Sequence, residues 1–264
     1  MYCLSLNDED YTKINSLNYI PVGLGKNKFG SKWLRDNNGI NISEKNSFYG
    51  EYTFHYWFWK NKIFEINDDK WIGFCAYRRF WTNSANLYKI NKKDDFLNRI
   101  PEEWDDQDVI LGQYINMDGW TKMKILKHGL KSFLFKPKYF LKKNQNLKLH
   151  FDSFHGFGNL DKAIELLCDD DKKDFKFFME NQNYYNQGNM FIFKNKKIIN
   201  SFYNTIFPWL QRCESIFGFN EKSYGNTRLY AFLMERFISY WFNKYSKVKI
   251  WPIAFYDINK ENLV

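Results

Sequence analysis

At 264 residues, 44% hydrophobic and 21% aromatic, the chain holds enough apolar side chain to bury one large core or two closely fused lobes, which excludes a disordered tail. A net charge of +9 points to an anionic partner: nucleic acid, a phosphorylated small molecule or an anionic membrane surface. No uncharged apolar run approaches the ~20 residues of a membrane span, and the opening MYCLSLNDED lacks the basic flank of a secretory signal, so a cytoplasmic protein is expected.

Strand and helix patterns then alternate. MYCLSL reads as a strand, NDEDYTKINSL as a short helix starting near Asn7 or Asp8, and NYIPVGLG as a second strand ending in a Gly-rich turn. Tyr49, Tyr52, Tyr56 and Trp59 recur at helical spacing, and Ser43 with Asn46 three residues on suggests a cap, so residues 46–63 are predicted as one helix packed on a sheet. Strands are predicted at 71–76 and in DVILGQY (108–114). Residues 121–148 differ, carrying nine lysines and no acid among aromatic and aliphatic residues, and read as an excursion from the core. They suit either a membrane-facing surface or a solvated basic loop. Helices are predicted at about 158–169 and 171–181, a strand at 189–194, helices near 196–217 and 225–245, and a strand-like VKIWPIAFY closes the chain. This alternation predicts a single α/β domain over 1–264 with a largely parallel sheet, and ligands of such sheets bind beyond the carboxyl ends of the strands.

Cys3, Cys75, Cys168 and Cys213 show no CxxC spacing and no nearby His, so they read as free core thiols in a reducing compartment rather than as metal ligands. The segment WIGFCAYRRFW (71–81) is more telling. An apolar run ends in Tyr77, Arg78 and Arg79, and charged residues are rarely buried without a partner. Guanidinium groups at a strand end suit a diphosphate, to which they offer planar, bidentate donors. The plainer alternative pairs one arginine with Asp106 or Asp108 and leaves the other in solvent.

NYIPVGLG, WLRDNNGINISEKNSFYGEYTFHYWFWKN, WIGFCAYRRFW and NMFIFKNKK, in that order, resemble a bacterial family of capsular-polysaccharide, exopolysaccharide and lipopolysaccharide glycosyltransferases grouped as a domain of unknown function. The likeness runs from about residue 18 to residue 245. It implies a GT-A-like, Rossmann-related α/β fold with a helical C-terminal part, and a transferase that uses a nucleotide sugar. In most enzymes of that fold an Asp-x-Asp at a central strand end holds a divalent metal on the donor diphosphate. The resemblance places Tyr77, Arg78 and Arg79 there, which implies a metal-independent enzyme with no cofactor beyond its UDP-sugar. The first strand departs from the family's Thr-His-Lys-like segment by reading LSLNDED, so no nucleotide contact is assigned before Gly23.

Asn41, Asn46 and Glu51 lie in the matching motif and could contact the donor; for the two asparagines, capping or fold-holding hydrogen bonds serve equally well. His55, on the aromatic helix, reads as a packed core histidine. His155 precedes a predicted helix at a Gly-rich turn, matches a family histidine, and could touch phosphate or acceptor. Glu235 and Arg236 interrupt an apolar helix, with Arg228 two turns earlier. Glu235 could deprotonate the acceptor hydroxyl, or simply pair with Arg236. The sequence therefore reads as a hexosyltransferase, galactosyl or galactofuranosyl, acting on a glycan or lipid-linked glycan acceptor. The alternative is a noncatalytic nucleic-acid-binding protein using lysines and aromatics.

Overall fold

The computed structural model describes residues 1–68, 70–117, 146–186, 188–219 and 224–259. The lysine-rich excursion lies outside them up to residue 145. Two compact units interleave along the chain: Met1–Gln113, Gln187–Asn204 and Trp241–Val264 form the first, and Tyr114–Asn186 and Thr205–Tyr240 the second.

In chain order the strands are β1 (Tyr2–Ser5), β2 (Ile20–Gly23), β3 (Leu34–Arg35), β4 (Ile72–Ala76), β5 (Arg79–Trp81), β6 (Val109–Gly112), β7 (Tyr114–Asn116), β8 (Tyr184–Asn186), β9 (Phe191–Phe193), β10 (Val248–Trp251) and β11 (Ile253–Phe255). The helices are α1 (Tyr11–Ser16), α2 (Asn46–Tyr49), α3 (Tyr52–Asn61), α4 (Leu147–His155), α5 (Asn159–Glu165), α6 (Asp169–Asn181), α7 (Lys196–Phe217), α8 (Tyr224–Thr227) and α9 (Leu229–Tyr245).

The first unit is built on one sheet in the order β10-β6-β9-β4-β1-β2-β3, with β5 joining β4 to β11. Parallel pairing links β1 to β2 and β4, β2 to β3, and β6 to β10; β9 runs antiparallel between β4 and β6. The sheet is mostly parallel and flanked by helices, as the alternation predicts. A strand covered on both faces reads as a continuous apolar run, and β4 is one. Its Gly73 is required by close packing, because a Cβ there would meet Ile192 Cγ1 and Met1 Cε at 2.8 Å. Phe74, fully buried, packs against Phe58 and Phe191 at ring-centroid distances of 5.3 Å each and against His55 at 4.3 Å.

The helix expected over 46–63 is two helices. Gly50 sits at φ +58, in the left-handed region that favours glycine, and separates α2 from α3. Ser43 does not cap: its N–H and hydroxyl both donate to Asn41 Oδ1. The aromatic spacing was nevertheless a true core signal, since every residue from Tyr52 to Trp59 is buried.

In the second unit β7 and β8 pair antiparallel, and Phe175, Trp209 and Phe237 form an aromatic core with centroids 5.1 to 5.9 Å apart. The sequence pattern missed α4, whose start was assigned to the basic excursion. Asn146 caps it, accepting from Leu149 N–H at 2.8 Å. Lys148 is no exposed member of a basic loop: it is 4% exposed and paired with Asp152 and Asp161. The helix expected at 158–169 ends at Glu165, and the closing strand divides at Pro252 into β10 and β11. Cys3, Cys75 and Cys213 are buried thiols, but Cys168 is exposed, contrary to the expectation of four core thiols.

Candidate active site

β4 ends at Ala76, and Ala76 pairs with Arg79 across a two-residue turn formed by Tyr77 and Arg78. The arginines therefore stand at the carboxyl edge of the sheet. Because β9 runs antiparallel to β4, its amino end, preceded by Gly188 and Asn189, reaches the same edge.

The Arg78 guanidinium lies 5.0 Å from the Tyr77 ring centre, and its Nε is 3.8 Å from Asp257 Oδ2, with the Arg78 side chain 53% exposed. Neither Asp106 nor Asp108 is its partner. Asp108 instead accepts from the Lys247 N–H at 3.0 Å. Arg79 stacks over Phe255 at 5.0 Å, and among the described residues no carboxylate pairs with it. Its Nη1 is 3.5 Å from where a Cβ on Gly188 would lie, and Gly188 holds φ +75. The Asn189 side chain donates to Glu51 Oε2 at 2.7 Å. Adjacent residues of one turn thus approach Arg79 and Glu51. Asn189 was not singled out from sequence, where it is the first residue of the strand predicted at 189–194; in the structure it precedes β9.

Behind this turn His55 is fully buried, with Nδ1 2.9 Å from Tyr203 Oη. Burial pushes the imidazole down to about 3 against a weaker opposing pull from the Asn189 carbonyl, so His55 is neutral at physiological pH. It is the core histidine that the sequence suggested. Asp36, also buried, accepts from Thr53 Oγ1 at 2.6 Å and from Gly25 N–H; burial raises its carboxyl above the usual range, partly offset by those bonds. Asn46 donates to the Gly50 carbonyl at 2.8 Å and to Thr53 Oγ1 at 3.2 Å, and Asn41 donates to the Gly39 carbonyl at 2.9 Å. Both amides thus make local hydrogen bonds of the fold-holding kind.

The second unit carries the other predicted residues. Arg236 is 1% exposed, stacked 3.9 Å over Tyr185, bonded through Nη1 to Glu235 and 3.4 Å from His150 Nδ1 through Nη2. The Glu235 side chain keeps 15% of its surface open. His155 closes α4 and, across the turn at Gly156 and Gly158, precedes α5. It stacks on Phe232 at 3.9 Å, with Nδ1 3.3 Å from the Gly225 carbonyl. Burial, then Arg236 and His150, hold it well below the ordinary imidazole range. Arg228 is half-buried immediately before α9.

The profile of the family described as a domain of unknown function, DUF4422, matches residues 3–247. The chain belongs to this family. Among solved structures, the apo form of WbbM, a bifunctional glycosyltransferase, matches 90% of the DUF4422 chain with a TM-score of 0.66 at 21% identity. The match covers 42% of WbbM, so the chain spans about two-fifths of that protein. At this identity the likeness is one of fold, and the mostly parallel sheet is GT-A-like. No curated protein matches the sequence. Among the described residues no helix is long and apolar enough to cross a membrane.

A GT-A-like fold raises the question of a divalent cation. Such a site needs hard oxygen ligands that converge, and the β4 end presents two guanidinium groups. Among the described residues no three His, Cys, Asp or Glu side chains group as a metal site. The described residues at the β4 end do not fit the ion.

Proposed function

We propose that the chain is a glycosyltransferase that moves a hexosyl group, galactosyl or galactofuranosyl, from a UDP-sugar to a surface-polysaccharide acceptor. The observation that carries this reading is the Tyr77-Arg78-Arg79 turn, whose Arg79 has no carboxylate partner among the described residues, at the carboxyl edge of a GT-A-like sheet. In the transfer the bond from the anomeric carbon to the diphosphate oxygen breaks, the acceptor oxygen bonds to that carbon, and a base takes the acceptor proton. Arg78 and Arg79 bind the departing diphosphate and stabilise its developing charge, the task that a metal performs elsewhere in the fold. Tyr77 stacks on or donates to the nucleotide, and Glu51, oriented by Asn189, meets the donor sugar. Of the acceptor-side candidates, Glu235 with its partly open carboxylate is assigned as base, and Arg236 orients it. The acceptor is a glycan or lipid-linked glycan, and the lysine-rich stretch up to residue 145 supplies a peripheral contact with an anionic inner membrane face. Against the nucleic-acid alternative, the aromatics of α3 lie in the core rather than on a stacking surface.

Calorimetry against nucleoside diphosphates and nucleotide sugars, on protein exhaustively treated with EDTA, tests the proposal. Binding of a UDP-sugar and transfer to a glycan should persist without metal. Strict dependence on Mn²⁺, or no nucleotide binding at all, would refute the assignment of the arginines.

A further inference from the structure

The transfer chemistry proposed above uses no residue of the β7–β8 ribbon, which belongs to the second unit. Successive side chains of a strand point to opposite faces. In β8, Tyr185 turns inward beneath the Arg236 guanidinium at 3.9 Å and is 7% exposed, whereas Tyr184 turns outward. The register sets Asn116 opposite Tyr184 and Tyr114 opposite Asn186, so Tyr114, Asn116 and Tyr184 share the outward face, with Asn186 as its buried end.

Tyr114 and Tyr184 stand with ring centroids 4.7 Å apart and planes inclined at 64°, yet they stay 47% and 37% exposed, so each keeps ring surface open to a ligand. The face they form is also neutral. In a chain that is 26% charged, residues 114–117 and 182–186 contain no Asp, Glu, Lys or Arg. Partial burial and then the neighbouring Tyr184 raise the Tyr114 phenol above its ordinary value, so it too carries no charge at physiological pH. Nucleic-acid phosphates and anionic leaflets are held by cations, and this ribbon supplies none. Rings and amides without charge match a neutral, polyhydroxylated ring, whose C–H face packs on an aromatic ring and whose hydroxyls bond to phenol and amide groups.

We propose that Tyr114 and Tyr184 form a subsite that stacks a neutral pyranose ring of the acceptor polysaccharide, with the exposed Asn116 amide at its border. The inference rests on the transferase reading for the identity of that ligand. The subsite is separate from the base: Glu235 is bonded to Arg236 on the Tyr185 side of the ribbon, and Tyr184 faces the other way. It therefore holds a sugar of the acceptor chain other than the one that reacts.

The test titrates the whole protein calorimetrically with galactotetraose, mannotetraose and cellotetraose, and with mannitol as a polyol that has no ring face. At least one tetrasaccharide should bind and mannitol should not. Tyr114→Ala and Tyr184→Ala should each weaken that binding about tenfold, whereas Tyr114→Phe and Tyr184→Phe, which keep the ring, should stay within about threefold of wild type. UDP affinity should be the same in all four variants. Failure of all three tetrasaccharides to bind, or equal losses in the alanine and phenylalanine variants, overturns the proposal. So does a wild-type dimer in sedimentation that Tyr184→Ala dissociates, which would assign the face to a second copy of the chain. Should an alanine variant fail to fold, wild-type NMR decides, because stacking requires Overhauser contacts between sugar C–H protons and the Tyr184 ring, whose signals are assigned by their change in Tyr184→Phe. Tetrasaccharide binding that depends on both rings, in a protein that binds no UDP-sugar, would defeat the transferase reading and leave the glycan subsite standing.

Discussion

Arg79 and Arg236 carry the same guanidinium into opposite surroundings. Arg236 is buried in the second unit with a carboxylate, a tyrosine face and a histidine around it, so its donors and charge are already answered inside the protein. Arg79 stands at a strand end against Phe255 and a glycine, with no carboxylate paired to it among the described residues. A buried charge must be compensated by its own structure, whereas a charge at an open edge can be compensated by a ligand. The first arrangement predicts a stability phenotype and the second a binding phenotype.

The largest expected effect should break this contrast. His55 in the first unit and His150 in the second are both held down to about 3, His55 by burial and His150 by burial and then Arg236. Their folded values lie below the ordinary unfolded value of about 6.5, so the unfolded chain binds more protons throughout that interval. Stability is therefore fully present above about pH 6.5 and is lost as pH falls from there toward 3. Thermal melts at pH 7, 6, 5 and 4 should show a progressively lower midpoint. The ring protons of both histidines should show no titration in NMR above pH 5. A midpoint flat down to pH 4 would count against both placements.

The next effect restores the contrast. Arg236→Ala removes one partner of a buried pair and should cost about 3–5 kcal/mol of unfolding free energy, measured by urea denaturation. Arg79→Ala should cost less than about 1 kcal/mol in the same assay, as surface substitutions do. It should instead weaken UDP binding by about 1.5–3 kcal/mol for the charged hydrogen bond lost. If the two variants behaved alike in both assays, the division into an internally compensated and a ligand-compensated arginine would be wrong.

How much of this was legible in the sequence depends on distance along the chain. The apolar run at 71–76 and the aromatic spacing at 49–59 are local signals, and both correctly marked buried elements. Gly50 was visible as a residue, but its positive φ was not, so one helix was expected where there are two. The partners of the arginines were not legible at all. Asp257 lies 179 residues beyond Arg78 and reaches it because β11 returns to pair with β5. Asn189 approaches Glu51 from 138 residues away, brought there by the reversed direction of β9. Nearby acids in EEWDDQD offered a partner close in sequence, yet they precede β6 at the other edge of the sheet. Periodicity reports which face is buried; it does not report which strand lies beside which.

The smallest effect concerns that long-range partner and sharpens the comparison most finely. Arg78 and Asp257 approach only to 3.8 Å, and the arginine side chain is about half exposed, so the pair is screened and contributes no more than about 1 kcal/mol. Asp257 also accepts from the Asn259 N–H at 2.9 Å, a bond that an asparagine oxygen can keep. Asp257→Asn should therefore leave the fold intact while removing a negative charge that competes with phosphate for Arg78. The expected result is UDP affinity raised about two- to threefold at low salt, with the gain shrinking at 0.5 M salt as screening removes the difference. The matching change in the second unit, Glu235→Gln, should leave UDP affinity unaltered but lower turnover by about 10²- to 10⁴-fold if Glu235 is the base. Lower UDP affinity in Asp257→Asn would mean that Asp257 positions Arg78 for the diphosphate rather than competing with it, and the edge arginines would then share the internal compensation seen at Arg236.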